Sequence, residues 1–284
     1  MRAAIEAADA GRLVQHSLAS PEIVAQLHRA LAVDVLAVGK AAASMAASFS
    51  ATAPVPTRTT TTVGAGDAGH PLPDERSVAA ATNALDLAAG VGADELLVVL
   101  LSGGASALLA LPAEDLTLGD KQRTVRTLLE AAADIAELNT VRKHLSRIKG
   151  GRLAAACAGS VLTLAVSDVV GDDLSVIGSG PTVPDPSTWR MALDVIERRG
   201  GRHAYPPSAV AVLEHGLAGK RADTPKPGDA RLSRSRALVI GGRREAIAGA
   251  RRAARSFGYH VHVLTDPIVG DAREAARTHA ATIE

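Results

Sequence analysis

Small and polar residues directly follow three apolar runs of the chain, at residues 33–38, 96–101 and 161–166. Lys40 comes after the first run, Ser102-Gly103-Gly104 after the second and Asp168 after the third. If these runs are strands of one parallel sheet, their carboxyl ends meet at one edge, where such sheets bind ligands. A cation, backbone donors and carboxylates are the groups that phosphoryl transfer needs, since charge on phosphate oxygens must be stabilised and a metal held. The pattern therefore favours a phosphoryl-transfer site.

The second run enters the segment LLSGGASALLALP, residues 100–112, which has four very small residues at its turning point. Two interpretations are open. Gly103 and Gly104 could let a strand and a helix pack closely. Alternatively, their backbone N–H groups, helped by Ser102, Ser106 and the start of a following helix, could hold an anion.

Lys40 and the loop SDVVGDD, residues 167–173, supply the charged groups of this edge. Lys40 comes almost directly after a predicted buried strand. This position favours a functional cation over a surface lysine whose aliphatic chain covers apolar residues while its ammonium group stays in water. The loop carries Asp168, Asp172 and Asp173. These are either solvated aspartates of a turn or groups for Mg²⁺ binding and base catalysis.

The basic segment NTVRKHLSRIKGGR, residues 139–152, carries six cationic or imidazole side chains. Arg142 and Lys149 are seven residues apart, so a continuous helix would place them on the same face. A solvated helix face is one interpretation. The other is that the stop at Gly150-Gly151, next to a predicted buried strand, brings Lys149 and Arg152 near the sheet.

Apolar runs rich in Val and Leu alternate with alanine-rich stretches, which is typical of a parallel sheet covered by helices on both faces. We therefore predict an α/β fold with a doubly wound, Rossmann-like parallel sheet, followed by the beginning of a second, smaller α/β domain. The predicted domains are residues 1–230 and 236–284. Predicted helices of the first domain cover residues 20–31, 75–89, 120–137 and a basic stretch near 139–148. The predicted elements of the second are strands at 237–240 and 261–264 and helices at 245–257 and 271–283.

Charge and composition exclude several kinds of partner. The chain has 284 residues with 31 Lys and Arg against 30 Asp and Glu, so its near-zero net charge argues against nucleic acid or an anionic membrane. No apolar run approaches the roughly 20 residues that cross a bilayer, and the first residues lack a signal-peptide pattern. The single cysteine, Cys157, excludes an internal disulfide and is interpreted as a small buried residue. These observations predict a cytoplasmic protein.

Two common nucleotide-binding motifs are not supported by the sequence. GAGDAG, residues 64–69, matches G-x-G-x-x-G, but His70-Pro71-Leu72-Pro73 follows where the helix of a dinucleotide-binding unit would begin. The P-loop pattern G-x-x-x-x-G-K-[ST] does not occur, because alanine follows Gly39-Lys40. The sequence therefore predicts neither a dinucleotide-binding site nor a P-loop kinase.

Five longer motifs occur in order along the chain: GKAAASMA, GHPLPDE, LLSGGASALLALP, LNTVRKHLSRIKGGRLA and SDVVGDDLSVIGSGPTVPDPST. Together they resemble the glycerate 2-kinase family, whose members have a characteristic carboxy-terminal domain and are unrelated to P-loop kinases. The resemblance implies ATP-dependent phosphorylation of D-glycerate to 2-phosphoglycerate with Mg²⁺, and it leaves a homo-oligomer open. Some relatives carry an older label of hydroxypyruvate reductase. The lack of a usable dinucleotide fingerprint speaks against that label here.

The resemblance also implies roles for individual residues. The lysine of the family's GKA motif is Lys40, expected to contact the transferred phosphoryl group or the substrate, and Asp168 and Asp172 complete the predicted catalytic set. Asp172 and Asp173 are the predicted metal ligands. The predicted substrate- and phosphate-binding residues are Ser102, Gly103, Gly104, Ser106, Asn139, Arg142 and Lys149. The motifs do not decide which of these bind glycerate and which bind ATP.

One departure from the family bears on activity. The family continues into a second domain with a G-G-R-N-Q-E-like motif, expected to supply a catalytic arginine. Gly241-Gly242-Arg243-Arg244-Glu245 resembles that motif only superficially, because it follows the strand predicted to open the second domain. We therefore expect a chain that stops before the motif. The alternatives are a glycerate kinase, impaired or completed by another polypeptide, and a catalytically silent module that keeps the nucleotide or glycerate site. A reductase is a distant third.

Overall fold

The computed structural model describes residues 1–264, 268 and 270–280. Its strands are β1 (Val33–Val38), β2 (Thr59–Val63), β3 (Leu96–Leu101), β4 (Ser160–Val166) and β5 (Ser235–Gly241). They form one parallel sheet in the order β2-β1-β3-β4-β5. The predicted α/β class with a parallel sheet is confirmed.

Helices precede, connect and follow these strands. In the described residues they are α1 (Arg2–Ala7), α2 (Ala10–Ser17), α3 (Pro21–Arg29), α4 (Ala42–Thr52), α5 (Glu75–Ala89), α6 (Ala105–Leu108), α7 (Leu118–Glu130), α8 (Ile135–His144), α9 (Arg152–Ala155), α10 (Trp189–Arg198), α11 (Pro207–Leu217), α12 (Arg243–Ser256) and α13 (Ala272–Ala280). Short 3-10 helices cover Ile177–Ser179, Arg202–Ala204 and Ala230–Leu232. None of the described helices has both the length and the apolar character needed to cross a membrane.

The central strands are buried on both faces. Every side chain of β1 and β3 is buried, which explains why both are continuous apolar runs in the sequence. Alternate residues of a strand point to opposite faces. In β3 the residues of one face are Leu97, Val99 and Leu101, and those of the other are Leu96, Val98 and Leu100. The first face packs against α5 and the second against α2, α3 and α4, so helices cover both faces as predicted.

A third apolar cluster lies among helices. Leu128 of α7, Val141 of α8, Trp189 of α10 and Leu213 of α11 are buried in it. This helical cluster fixes α8, and therefore the start of the basic segment, among α7, α10 and α11.

The chain reverses its winding direction between β1 and β3. β2 pairs with one side of β1, whereas β3 pairs with the other side. Such a switch leaves a crevice at the carboxyl ends of the strands, where open α/β sheets bind ligands. Val38 is opposite Leu101, and Leu101 is opposite Ala165. The predicted meeting of three strand ends at one edge is therefore confirmed.

The continuous helix predicted over residues 120–137 is wrong. α7 ends at Glu130, and α8 begins at Ile135. Between them Ala132 has a φ of 54°, which interrupts a right-handed helix. Asp134 then caps α8 by accepting a hydrogen bond from the backbone N–H of Glu137 at 2.8 Å. This cap starts a new helix instead of extending the old one.

The helix predicted near residues 139–148 is also shorter than expected. α8 ends at His144, and Ser146 Oγ accepts hydrogen bonds from the backbone N–H groups of Ile148 at 3.3 Å and Lys149 at 3.4 Å. A serine that bonds nearby backbone groups in this way favours a turn over a helix. Arg142 and Lys149 therefore do not share a helix face.

The strand predicted at residues 237–240 forms, but in a different place. It lies within β5, which pairs with β4 at the edge of the main sheet instead of opening a second sheet. Leu238 and Ile240 pack on the core that α2 and α4 cover, and this burial explains the placement.

The chain divides into two compact units, residues 8–243 and a second unit of residues 1–7 with those from 244 onward. In the second unit, Gly249 of α12 lies against α1, because a β-carbon there would be 2.4 Å from Cβ of Ala7. Residues 261–264 adopt no regular structure, so the strand predicted there is wrong. The predicted helix 271–283 corresponds to α13, and its last residues lie outside the described ones. The predicted domain boundary stays a prediction.

Candidate functional site

The turn Gly103-Gly104 is tied to the end of β1. The backbone N–H of Lys40 donates to the carbonyl oxygen of Gly103 at 2.8 Å. Ser102 Oγ accepts from the backbone N–H of Ala41 at 3.1 Å and donates to the carbonyl oxygen of Val38 at 3.4 Å. Since Ser102 is 3% exposed, its hydroxyl holds the two strand ends together. The positions of Lys40 and of the glycine turn are thereby fixed relative to each other.

A side chain at either glycine of this turn would require its neighbours to move. A β-carbon on Gly103 would lie 2.1 Å from Oδ2 of Asp168. Gly104 has a φ of +88°, and a β-carbon there would lie 3.1 Å from the ring of His70 and 3.3 Å from Cγ of Lys40. Within the described residues, neither glycine N–H has a hydrogen-bond acceptor. The turn thus combines close approach with two free backbone donors.

A cleft with two adjoining lobes surrounds this turn. The lysine lobe has a volume of about 480 Å³, and the aspartate lobe about 390 Å³. Gly104, Ser106 and Arg142 line both lobes. The lysine lobe adds His70, Lys121, Gln122, Arg126 and Lys149, and the aspartate lobe adds Gly103, Asn139, Asp168 and Gly178. Lys40, Ser102, Asp172 and Asp173 line neither lobe.

A chain of hydrogen bonds links the two lobes beneath their surface. Lys149 Nζ donates to Ser106 Oγ at 3.1 Å and to the carbonyl oxygen of Ser106 at 2.9 Å. The hydroxyls of Ser106 and Ser179 are 2.9 Å apart, and Ser179 Oγ donates to Oδ1 of Asn139 at 3.0 Å. Lys149 donates to Ser106, so the Ser106 hydroxyl donates to Ser179, and the Ser179 hydroxyl donates to Asn139. The amide of Asn139 therefore presents its oxygen, Oδ1, to Ser179, and its NH₂ group, Nδ2, is left to donate elsewhere.

Two donors of the cleft have no partner within the described residues. Nδ2 of Asn139 is buried without an acceptor, although Asn139 is only 3% exposed. The half-buried guanidinium of Arg142 forms no hydrogen bond or ion pair, and burial lowers its pKa. A buried donor without an acceptor is costly, about 1–3 kcal/mol. A ligand with oxygen acceptors would remove that cost, so this pair favours a ligand site.

The lysine lobe holds excess positive charge. Burial, and then Arg142 and Arg152, lower the pKa of Lys121 to about 7. Burial, and then Lys121 and Arg142, lower the pKa of Lys149 well below its usual value. Three cationic groups therefore destabilise one another in this lobe. An anion between them would be stabilised strongly, because water is largely excluded.

The acidic loop contributes unequally. Asp168 is exposed and lines the aspartate lobe, where its carboxylate lies against Gly103. Asp172 is half-buried with a φ of 56°, and Asp173 accepts from the backbone N–H of Ser175 at 2.8 Å. No group of three carboxylate, histidine or cysteine side chains in the described part of the chain could hold a metal. One or two carboxylates suffice for Mg²⁺ that also binds phosphates, so the loop fits Mg²⁺ carried by a nucleotide but not a cage built of protein groups alone.

The sequence profile of a domain of unknown function, DUF4147, matches residues 1–214 of the 284. The chain belongs to the DUF4147 family.

Named relatives show what this family contains. A glycerate 2-kinase of Pyrococcus horikoshii is 37% identical over 209 residues, which are 74% of this chain and 47% of the relative. A protein of Agrobacterium vitis, provisionally named as a hydroxypyruvate reductase, is 42% identical over 87% of this chain and 57% of its own length. The crystal structure of a glycerate kinase from Thermotoga maritima superposes with a TM-score of 0.77 at 32% identity, covering 98% of this chain and 66% of that one. The chain thus spans about half the length of these curated relatives, and its resemblance to the glycerate 2-kinase family is confirmed.

The structure brings most of the predicted binding residues of this DUF4147 member to one cleft, which Gly103, Gly104, Ser106, Asn139, Arg142, Lys149 and Asp168 line. Sequence reasoning missed Lys121, Ser179 and His70. His70 lies in the motif GHPLPDE, and Ser179 lies in the motif SDVVGDDLSVIGSGPTVPDPST. Their membership of these family motifs is the signal that could have identified them. Lys121 offers no such signal, because its burial depends on how α7 packs.

Proposed function

We propose that this chain carries the glycerate-binding and phosphoryl-transfer site of a glycerate 2-kinase, which makes 2-phosphoglycerate and ADP from D-glycerate and ATP. The observation that supports this most is the pair of unpartnered donors, Arg142 and Nδ2 of Asn139, where the cationic lysine lobe adjoins the aspartate lobe. A small hydroxy acid offers the acceptors that both donors lack. The volume of either lobe, 480 or 390 Å³, is ample for a three-carbon acid.

We assign the carboxylate of glycerate to Arg142 and the lysine lobe, where Lys121 and Lys149 add positive charge. The 2-hydroxyl then lies toward Asn139 and Asp168 in the aspartate lobe. The free N–H groups of Gly103 and Gly104, between the two lobes, are assigned to oxygens of the transferred phosphoryl group. Lys40 is assigned to the same oxygens from the β1 side of the turn.

In the proposed reaction the 2-hydroxyl oxygen bonds to the γ-phosphorus of ATP, and the bond from that phosphorus to the β,γ-bridging oxygen breaks. Asp168 accepts the hydroxyl proton, because its exposed carboxylate has no ion-pair partner among the described residues. Mg²⁺ bound to the nucleotide would neutralise phosphate charge, with Asp172 and Asp173 as its candidate protein ligands. Lys40 and the glycine N–H groups stabilise charge on the equatorial oxygens.

The reductase alternative has less support. After β2, the segment GAGDAG runs into residues 70–74 without a helix, and α5 begins only at Glu75. A dinucleotide fingerprint needs its helix directly after the glycines, so that the pyrophosphate meets the helix start. This chain lacks that arrangement at its only literal match to the motif.

Coupled ADP release tests the proposal. With ATP, Mg²⁺ and D-glycerate, the chain is expected to release ADP in a glycerate-dependent manner. Enolase as the coupling enzyme identifies the product, since it consumes 2-phosphoglycerate and not the 3-isomer. L-glycerate serves as the matched substrate control. Glycerate binding without ADP release would favour the silent module, and oxidation of NADH by hydroxypyruvate would favour the reductase.

The affinity for D-glycerate is expected to fall as the pH rises from 6 to 8. Lys121, with its pKa of about 7, is charged below that pH and neutral above it, whereas the substrate carboxylate is ionised throughout. If the bound carboxylate raises this pKa by about one unit, the affinity changes by about fivefold. Isothermal titration at both pH values measures it. Lys121→Met, which removes the charge at similar volume, is expected to flatten the profile, and an unchanged profile in this variant would contradict the assignment.

A further inference from the structure

A second polar pocket lies away from the cleft, on the other side of the basic segment. It has a volume of about 350 Å³ and shares no lining residue with either lobe. We call it the tryptophan pocket. The lining residues that matter here are Glu114, Arg147, Arg152, Trp189, Lys220 and Arg221.

Positive charge dominates the tryptophan pocket, with four cations against the single carboxylate of Glu114. Arg147 and Lys220 are exposed and form no ion pair with any described residue. Among the described residues, the guanidinium of Arg152 donates to the carbonyl oxygens of Lys143 at 3.2 Å and Ala222 at 3.5 Å, and burial lowers its pKa although Asp223 and Asp185 act in the opposite direction. Arg147 and Lys220 are therefore the two cations of the pocket without a carboxylate partner in the described part of the chain.

Two buried donors of the tryptophan pocket also lack acceptors. Nε1 of Trp189 is buried without a hydrogen-bond partner, and Trp189 is 6% exposed. Nε of Arg221 is likewise buried and unpartnered, although Nη2 of the same side chain pairs with Asp115 at 2.6 Å. Buried polar groups are almost always hydrogen-bonded in native proteins, to protein, water or ligand. Two exceptions in one pocket therefore point to an acceptor that the protein does not provide.

The indole of Trp189 is held in place from two sides. Its ring packs so closely on α11 that a β-carbon on Gly216 would lie 2.1 Å from it. On another side the ring of His144 meets it edge to face, with centroids 4.7 Å apart. The indole ring is therefore packed on two sides by the protein.

We propose that the tryptophan pocket binds a phosphate group, as the free ion or as the phosphomonoester of a small metabolite. A phosphate dianion offers several acceptor oxygens to the indole N–H and the Arg221 Nε–H, and its two negative charges balance Arg147 and Lys220. A polyanion such as nucleic acid is a poor occupant, because the chain as a whole carries a net charge of only +1. The site is separate from the proposed glycerate cleft and stands whether or not the chain is a kinase.

Fluorescence titration tests this proposal directly, because Trp189 is the only tryptophan of the chain. Inorganic phosphate, added at constant ionic strength against chloride, is expected to change the indole emission in a saturable manner with a dissociation constant of about 1 mM or below. Glycerol 1-phosphate is the second probe. Tighter binding of this ester identifies a phosphorylated metabolite as the ligand, whereas equal or weaker binding identifies free phosphate.

Variants decide whether the response arises in the pocket. Arg221→Gln is expected to weaken phosphate binding at least tenfold, and Lys220→Gln, a change at an exposed side chain without an ion pair among the described residues, several-fold. Arg190→Gln makes the same change of charge on α10 outside the pocket and is expected to bind like the wild type. No saturable response, or the same response in the Lys220 and Arg190 variants, would overturn the proposal.

Discussion

Replacement of Lys40 by Met is expected to leave the fold intact and to lower turnover of D-glycerate by about 100- to 1000-fold. This decrease corresponds to a loss of about 2.7–4 kcal/mol of transition-state stabilisation. The side chain is exposed and forms no hydrogen bond or ion pair with any described residue, so its removal breaks no contact that the fold depends on. The backbone N–H of residue 40 donates to the carbonyl oxygen of Gly103 and holds the turn in place. This hydrogen bond remains when the side chain is methionine. The charge is needed only when negative charge develops on the transferred phosphoryl group.

The measurement is steady-state ADP release at saturating ATP and D-glycerate, together with the thermal midpoint of unfolding. Arg190→Met is the matched control, since Arg190 is an exposed cation on α10 that lines neither lobe of the cleft. A Lys40→Met variant that keeps most of its turnover would remove Lys40 from the site. A variant that loses stability together with activity would assign Lys40 a structural role instead.

The two strands that are buried on both faces could be predicted more sharply than the helices between residues 118 and 144. The bounds of β1 and β3 are those predicted, because a strand buried on both faces is a continuous apolar run between glycines and polar residues. The break between α7 and α8 is less visible, since Ala and Leu continue through it and only the cap at Asp134 marks the new start. The turn after His144 depends on one serine hydroxyl, and its neighbours still have helical composition.

Pairing between distant segments explains the other errors. The apolar residues of β5 predict a strand but not its neighbour, and the order of the sheet depends on burial of Leu238 and Ile240 beneath distant helices. For the site, local sequence identifies the strand ends, because small and polar residues mark where the buried apolar runs stop. It does not identify Lys121, because the electrostatic repulsion between Lys121 and Arg142 arises only after α7 and α8 pack. Nor does it show that Ser179 completes the bridge from Ser106 to Asn139.

The second large effect is expected for Gly104→Val, which should weaken binding of D-glycerate and ATP by more than the loss of stability explains. At a φ of +88°, any L-residue is strained, by about 1–2 kcal/mol. The β-carbon would also come within 3.1 Å of His70 and 3.3 Å of Lys40, at the point where both lobes of the cleft meet. The branched side chain of valine would fill the space in front of the glycine N–H groups, so an anion could not reach them.

Gly228→Val separates the two effects. Gly228 has a φ of +87°, and a β-carbon there would meet nothing within 4 Å, so the control carries the same backbone strain without the blocked cleft. Both variants are expected to lower the thermal midpoint of unfolding through this strain, whereas only Gly104→Val should raise the dissociation constants, by at least about tenfold or 1.4 kcal/mol. If both variants bind alike, Gly104 serves only the close packing of strand and helix, and the anion that we place against its N–H group must bind elsewhere.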